Sequence, residues 1–353
     1  MICPDVRLSN LRAAALVLCA IVFLAACSRP PAGGDFAILR GADPFFNKFI
    51  SPDPELLWRL NPGRYNAKEL LAKAPGGAYL IEAVQPEAAL EISPPGLRGG
   101  DPGPKAGRWR ILCLGDSVTF GYLRPYPEVL EQLLGEKKGA GSVQVINAGV
   151  PGYSLAQGAR WFSKYGPSFE PDVVVALFGW NDAKERIRGY TDSELMGSPL
   201  RIWLARWRTS LEWIRWRGGD PFSEVTACCR VTPRQEREGL RRLSESVRGA
   251  GAYLHVASYP SLLDQEDSPL DLPKPFADAR RARLKAFEKV ALEESTAGGF
   301  GTIALAAEVA AGPGLAYYRD PASDPVHPSE EGAKFLAGVV AGALLPPDAG
   351  AKR

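Results

Sequence analysis

Five short apolar runs alternate with segments of helical periodicity between residues 108 and 308. Each run is rich in β-branched residues and apolar at consecutive positions, which is typical of parallel strands buried on both faces. The runs cover residues 108–115, 143–149, 172–179, 252–260 and 302–308. A closing helical segment, SEEGAKFLAGVVAGALL, follows the last run. This alternation predicts an α/β fold with a flavodoxin-like, doubly wound parallel sheet of five strands and helices on both faces.

Length and charge narrow the class of protein. The chain has 353 residues, of which 46% are hydrophobic, and this is ample for one sizeable core. Lys and Arg number 42 and Asp and Glu number 40, so the chain lacks the basic excess of a general phosphate-backbone binder. We therefore expect one large domain and no nucleic-acid partner.

The N-terminus has the pattern of a bacterial export signal. Arginines precede the apolar run AAALVLCAIVFLAAC, which is short for a membrane-spanning helix and suits the core of a secretory signal. The run ends in LAAC and resembles a lipobox, so we expect cleavage before Cys27 and lipidation of that cysteine. An ordinary cleaved signal and an uncleaved anchor are the alternatives. Ser28 follows where an Asp would indicate inner-membrane retention, so we expect a lipid-anchored protein of the bacterial envelope, at the outer membrane or periplasm.

Composition changes divide the chain into segments. Residues 28–42 are rich in Pro, Gly and Ala without periodicity, as in a flexible tether. Residues 43–107 combine short apolar runs with Pro and Gly, which predicts a strand and loop extension packed on the main domain. The main domain is expected over 108–345 and a short tail over 346–353.

A segment over about 184–230 interrupts the strand and helix alternation. It contains SPLRIWLARWRTSLEWIRWR, in which apolar side chains recur at helical spacing among arginines. Its tryptophans are Trp203, Trp207, Trp213 and Trp216. The pattern predicts an amphipathic helix, either a cap that packs its tryptophans on the core or a lid that contacts membrane or substrate.

The first strand ends by presenting a serine. Gly115 permits a tight turn, and Ser117 opens the next segment, where backbone N–H groups have no helical partner. Near the C-terminus, Asp324 precedes His327 by three residues in a turn. A carboxylate at that spacing can hold the imidazole tautomer while the other ring nitrogen takes a proton from a hydroxyl. This is the spacing that a serine-histidine relay needs.

Two further polar groups follow the second and third strands. Gly152 lets the backbone approach a ligand closely and offer its N–H, and Asn181 carries an amide that can donate to developing negative charge. Ligands of open parallel sheets sit beyond the carboxyl ends of the strands, so these groups are expected near Ser117. Their neighbours Tyr153 and Trp180 are candidates for substrate contact.

Four blocks in order, GDS, a glycine, GxND and DxxH, resemble the SGNH/GDSL hydrolase family over about residues 108–345. The resemblance implies Ser117 as nucleophile, with Asp324 and His327 completing a catalytic triad. It implies an oxyanion hole formed by the Ser117 N–H, Gly152 and Asn181. The 184–230 segment carries none of the blocks, so it leaves the substrate open.

The activity expected from this resemblance is hydrolysis of carboxylic esters through an acyl-serine, with acyl lipids or O-acetylated carbohydrates as substrates. An envelope polysaccharide O-acyltransferase using the same acyl-serine is the alternative, and a non-catalytic glycan-binding envelope protein is a third reading. No cofactor is expected. No metal is expected either, because the sequence has no CxxC pair or histidine-rich tract. The expected partners are the ester substrate and, through Cys27, a membrane.

Overall fold

The structure of the protein is a computed structural model. The described residues are 49–68, 89–122, 124–184, 186, 190–202, 229–265, 268–270, 272–322 and 324–345. The predicted signal with Cys27, the predicted tether and the predicted tail lie outside them. So do the four tryptophans of the 184–230 segment.

Within the described residues, eight strands form the main sheet, and two more form a separate antiparallel hairpin. The strands are β1 (Ile50–Asp53), β2 (Leu57–Leu60), β3 (Gly63–Asn66), β4 (Ala89–Ser93), β5 (Leu97–Arg98), β6 (Trp109–Gly115), β7 (Val143–Gly149), β8 (Val173–Leu177), β9 (Tyr253–Ala257) and β10 (Gly301–Ile303). Strands β7, β6, β8, β9 and β10 lie side by side and are all parallel. In chain order they are arranged 2-1-3-4-5, which confirms the predicted flavodoxin-like sheet.

The N-terminal extension continues this sheet. Strands β5, β4 and β3 add to the β7 edge in antiparallel pairing. The hairpin of β1 and β2 is not part of this sheet. Its Trp58 and Leu60 are nevertheless buried in a core cluster of the main domain. The extension therefore lengthens the sheet as well as packing on the domain.

Helices cover the sheet on both faces, as predicted. They are α1 (Ser117–Phe120), α2 (Tyr126–Lys138), α3 (Leu155–Tyr165), α4 (Asp192–Leu195), α5 (Pro233–Gly249), α6 (Lys274–Gly298), α7 (Leu305–Ala311) and α8 (Glu330–Leu344). Alternate side chains of β6 belong to different core clusters. Leu112 and Leu114 are buried in one cluster, and Ile111 and Cys113 are buried in the other. Because successive strand residues point to opposite faces, the two clusters lie on the two sides of the sheet.

The last predicted strand is wrong in its second half. Residues 302–308 were expected to be extended throughout, but β10 ends at Ile303 and α7 begins at Leu305. The segment after Ile303 is rich in alanine, the strongest helix former, and an apolar run alone does not distinguish a strand from a buried helix. The predicted strands over 172–179 and 252–260 are also shorter, at Val173–Leu177 and Tyr253–Ala257.

Within the described part of the chain, the helices are too short or too polar for any of them to cross a bilayer.

Candidate active site

Ser117 lies at the start of α1, immediately after β6. Asp116 caps this helix, since its Oδ1 accepts a hydrogen bond from the Val118 N–H at 2.9 Å. The Ser117 Oγ lies 2.7 Å from Nε2 of His327. The hydroxyl and the imidazole, predicted from separate blocks of sequence, are therefore brought within hydrogen-bond distance of each other.

Gly115 is required here for a different reason from the one predicted. Its φ is not positive, so no turn torsion demands a glycine at this position. A Cβ at Gly115 would instead lie 2.8 Å from the Leu177 carbonyl oxygen and 2.0 Å from Oγ1 of Thr119. The glycine therefore lets α1 and β8 approach the end of β6 closely.

His327 is held by a loop pinned at several points. Its carbonyl accepts the Arg319 N–H at 3.0 Å, and the next residue, Pro328, bridges to Tyr318. Ser329 then caps α8, with its Oγ accepting the Gly332 N–H at 3.0 Å. These contacts fix the backbone on both sides of the imidazole.

Asp324 supports the imidazole from the other side. Its Oδ1 and Oδ2 lie 3.0 and 2.9 Å from Nδ1 of His327. The carboxylate also accepts the backbone N–H of His327 at 3.1 Å and an Arg319 guanidinium N–H at 2.9 Å. Burial by itself raises the pKa of Asp324, but the hydrogen bonds and charges of His327 and Arg319 outweigh it and hold the pKa well below its ordinary value. Asp324 is therefore ionised at neutral pH, and its carboxylate faces Nδ1 of His327 while Nε2 faces Ser117.

Two backbone N–H groups at the site have no acceptor among the described residues. One belongs to Ser117, at the N-terminus of α1, and the other to Gly152, in the turn after β7. Gly152 has φ +82°, which favours glycine, and a Cβ there would lie 3.2 Å from the Trp58 ring. Both N–H groups come from the sequence blocks that were predicted to supply oxyanion donors.

Asn181 presents its amide differently. Its Nδ2 donates to Oδ2 of Asp116 at 2.9 Å and to the Tyr153 carbonyl at 3.1 Å, so both amide hydrogens have protein acceptors. Asp116 is fully buried, and burial raises its pKa. It also accepts a hydrogen bond from the Tyr259 hydroxyl, which lies 3.0 and 2.9 Å from its two oxygens. Asn181 is thus anchored to the turn that carries Ser117.

The two candidates for substrate contact differ in their surroundings. Tyr153 is 1% exposed, and its hydroxyl donates to the Trp58 carbonyl at 2.7 Å, so its side chain is packed in the core, and substrate contact by Tyr153 stays a prediction. Trp180 is half-buried, with the Arg280 guanidinium 4.9 Å from its ring centroid. Its role in substrate contact stays a prediction.

A small pocket opens beside the serine and histidine. Besides these two residues, its lining includes Tyr122, Arg124, Tyr126, Arg319, Pro328 and Glu330. The Tyr122 ring meets the His327 imidazole edge-on, with 5.5 Å between centroids. The pocket lining therefore combines aromatic rings with two arginines.

Sequence reasoning missed several residues that hold the site together. Tyr259 and Arg319 contact Asp116 and Asp324 respectively, and Trp58 contacts the Gly152 turn. Position relative to the strands could have indicated Tyr259, which follows β9 at the same sheet edge. No local pattern marks Trp58, whose contact spans 93 positions of the chain. No cluster of three or more His, Cys, Asp or Glu suited to a metal ion occurs in the described ranges.

The chain matches the GDSL-like Lipase/Acylhydrolase family over residues 113–335, more than half of its length. No curated protein matches it. Similar solved structures include a putative GDSL-like lipase from Parabacteroides merdae, with 19% identity, 67% of this chain and 96% of that chain covered, and a TM-score of 0.45.

A lipase/acylhydrolase from Enterococcus faecalis has 20% identity, with 68% and 99% of the two chains covered and a TM-score of 0.44. The acetylxylan esterase Axe2 from Geobacillus stearothermophilus has 18% identity, with 67% and 94% covered and a TM-score of 0.43. The matched family region contains the serine, glycine, asparagine and histidine positions described above. This chain therefore belongs to the GDSL-like lipase/acylhydrolase family and is an ester hydrolase.

Proposed function

We propose that this ester hydrolase works through an acyl-serine intermediate on Ser117. In the first step the Ser117 Oγ attacks the ester carbonyl carbon while His327 Nε2 takes the hydroxyl proton. The tetrahedral intermediate then collapses, the bond from carbon to the alcohol oxygen breaks, and His327 returns the proton to the departing alcohol. The observation that carries this proposal is the 2.7 Å contact between Nε2 and Oγ, with the ionised Asp324 on the opposite ring nitrogen.

The oxyanion of the intermediate is stabilised in this proposal by N–H groups of Ser117 and Gly152. Both lack acceptors among the described residues, so they are available when negative charge develops. Asn181 adds a third donor by exchanging its 3.1 Å bond to the Tyr153 carbonyl for a bond to the oxyanion. Its bond to Asp116 keeps the amide in place during the exchange.

Water completes the cycle. The His327 side chain is 21% exposed, so solvent reaches the base that must activate a water molecule against the acyl-serine. This access favours hydrolysis over transfer of the acyl group to a sugar hydroxyl. The proposed substrates are carboxylic esters of lipids or of O-acetylated carbohydrates, and esters of increasing acyl length measure the preference between them.

The test uses the full-length protein and a short-chain aryl ester. We expect Ser117→Ala to lower kcat at least about a thousandfold while the circular dichroism spectrum is retained. A fluorophosphonate should label Ser117 in the unsubstituted protein, and mass spectrometry of the peptide locates the adduct. Ser168→Ala, at an exposed serine outside the pocket, is the matched control and should keep full activity. Undiminished turnover by Ser117→Ala would remove this serine from the mechanism.

We also propose that Cys27 carries a lipid anchor that holds the enzyme at the bacterial envelope. The proposal rests on the apolar run and on the LAAC lipobox. Metabolic labelling with a fatty acid should mark the full-length protein and not Cys27→Ala, and the labelled protein should sediment with membranes. Equal labelling of the two proteins would contradict the proposal.

A further inference from the structure

We infer that Trp58, in β2 of the N-terminal extension, is a positioning residue for the oxyanion hole. It holds the peptide unit that carries the Gly152 N–H, and it does so from the side opposite to the reacting atoms. The inference rests on the proposed function, because it assumes that this N–H donates to the oxyanion. Trp58 lies outside the matched family region of 113–335.

The indole N–H makes the decisive contact. Nε1 of Trp58 donates to the Pro151 carbonyl oxygen at 3.1 Å. That carbonyl and the Gly152 N–H belong to one planar peptide unit, on whose opposite edges they point in opposite directions. A hydrogen bond that fixes the carbonyl therefore fixes the direction of the N–H as well.

The next peptide unit is held by Arg230. Its Nη1 donates to the Gly152 carbonyl at 2.9 Å, and its guanidinium lies 5.4 Å from the Trp58 ring centroid. Arg230 is itself fixed by a buried ion pair of 2.6 Å with Asp192. The carbonyls of Pro151 and Gly152 thus accept hydrogen bonds from side chains of two distant segments of the chain.

Trp58 is in turn well anchored. It is 3% exposed, and its own carbonyl accepts the Tyr153 hydroxyl at 2.7 Å. The Trp58 and Tyr153 rings meet edge to face with 5.7 Å between centroids. The indole therefore offers its N–H from a rigid position.

Gly152 is the residue that most needs such support. A glycine samples positive and negative φ about equally, so nothing in its own torsional preferences holds the turn at φ +82°. The Tyr153 N–H closes this turn by donating to the Val150 carbonyl at 3.1 Å, but the 151–152 peptide at its centre takes no part in that bond. Without the indole bond, this central peptide loses the contact that directs its N–H toward the oxyanion. Substrate binding does not use that N–H strongly before charge develops, so the loss should fall on kcat rather than KM.

The experiment compares Trp58→Phe with Trp161→Phe in the full-length protein. Trp161 is also a buried tryptophan, 2% exposed, but its ring contacts are with Tyr165 and Phe169. Each variant is assayed on an aryl ester and on the matching thionoester, in which sulfur replaces the carbonyl oxygen. Sulfur is a weak hydrogen-bond acceptor, so the thionoester gains little from the oxyanion donors.

We expect Trp58→Phe to lower kcat for the oxygen ester about tenfold, with KM within twofold, because removing a whole oxyanion donor costs about 100- to 1,000-fold. The rate ratio of oxygen ester to thionoester should fall several-fold in Trp58→Phe and stay unchanged in Trp161→Phe. This ratio is independent of the folded fraction, since both substrates report on the same active molecules. Trp58→Leu, whose side chain has no hydrogen-bond donor, should show the same shift if Trp58→Phe folds poorly.

An unchanged ratio in the Trp58 variants, or equal losses on both esters, would overturn the inference. That result is distinct from failure of the proposed function, which Ser117→Ala reports. If Ser117→Ala is inert and the Trp58 ratio is unchanged, the acyl-serine stands and only the role of Trp58 is lost.

Discussion

Nε2 of His327 lies 2.7 Å from Oγ of Ser117, although 210 positions separate the two residues in the chain. Each residue is placed by a different support: Ser117 by the end of β6 and the Asp116 cap, His327 by the Tyr318 bridge and the start of α8. The proposed proton acceptor is therefore in place before substrate arrives, as a preorganised site requires.

The carboxylate behind the imidazole gives the first prediction. Asp324→Asn should lower kcat about 10³- to 10⁴-fold on an aryl ester, because an amide at this position favours the wrong imidazole tautomer. KM should change little, since Asp324 is buried beneath the ring. Glu331→Gln, at an exposed carboxylate of α8, is the control and should keep full turnover. A kcat for Asp324→Asn within tenfold of the unsubstituted enzyme would contradict this role.

The second prediction concerns the Tyr259 hydroxyl, which donates to the buried Asp116. Tyr259→Phe should lower the free energy of unfolding by about 1.5 to 3 kcal/mol, as for a lost hydrogen bond to a charged group. It should also lower kcat, because Asp116 anchors the Asn181 amide.

Tyr317→Phe is the matched control for this change. Tyr317 is fully buried as well, but its hydroxyl has no hydrogen-bond partner in the described residues. Its removal should leave kcat unchanged and should not destabilise the fold in urea titrations. If both variants lose the same stability and activity, the hydrogen bond from Tyr259 to Asp116 contributes nothing specific to either.

The parallel core of the fold was predictable because its strands are continuous apolar runs separated by helical periods. The predicted second strand, 143–149, coincides with β7. Strands β3 to β5 were not identified individually, because they are two to five residues long and lie among Pro and Gly. So short a strand is specified by its pairing partners, which local sequence does not contain.

The candidate site also contains residues that were predictable from sequence and residues that were not. Ser117, Gly152, Asn181 and the pair of Asp324 and His327 occur in recognisable blocks, so they were predicted from sequence. The residues that hold them in position were not predicted. Trp58 and Arg230 reach the Gly152 turn across 93 and 78 positions, and Tyr259 reaches Asp116 across 143. Contacts between ordinary side chains at such separations depend on the whole topology and leave no local pattern.

Close packing at the end of β6 gives a third prediction. Gly115→Ala should lower the free energy of unfolding by about 1 to 3 kcal/mol, because the new methyl group would lie 2.8 Å from the Leu177 carbonyl oxygen. Gly135→Ala, in the last turn of α2, where no atom beyond the local helix backbone lies within 4 Å of the added Cβ, should instead raise it by about 0.5 to 1 kcal/mol. Urea unfolding measures both. Stabilisation by Gly115→Ala would show that the end of β6 accommodates the added methyl group without steric conflict.

The fourth prediction concerns the pH dependence of stability at Glu236, a buried glutamate in the first turn of α5. Its Oε2 has no hydrogen-bond partner among the described residues. Burial, and then the charge of Asp182, raise the pKa of Glu236 well above its ordinary 4.5. Burial also raises the pKa of Asp182, to about 7, but Asp182 accepts the N–H groups of Leu155 and Gly179, which favour its charged form, so Glu236 holds its proton more strongly.

A raised folded-state pKa stabilises the protein fully below pH 4.5, and this contribution is lost as the pH rises toward the folded value. Glu236→Gln removes the titration. The free energy of unfolding of the variant, relative to the unsubstituted protein, should therefore increase between pH 5 and pH 8, by at most about 1.4 kcal/mol per pH unit.

Glu294→Gln is the control of opposite sign for Glu236→Gln. Glu294 is equally buried but accepts hydrogen bonds from Arg237 at 2.8 Å and Arg241 at 2.6 Å. The Arg241 bond is the main cause that lowers the pKa of Glu294 below 4.5, so its contribution is present above that pH and lost as the pH falls through the lowered value. Glu294→Gln should therefore destabilise the protein at neutral pH and less so in acid. Parallel pH trends for the two variants would mean that Glu236 is charged in the folded protein.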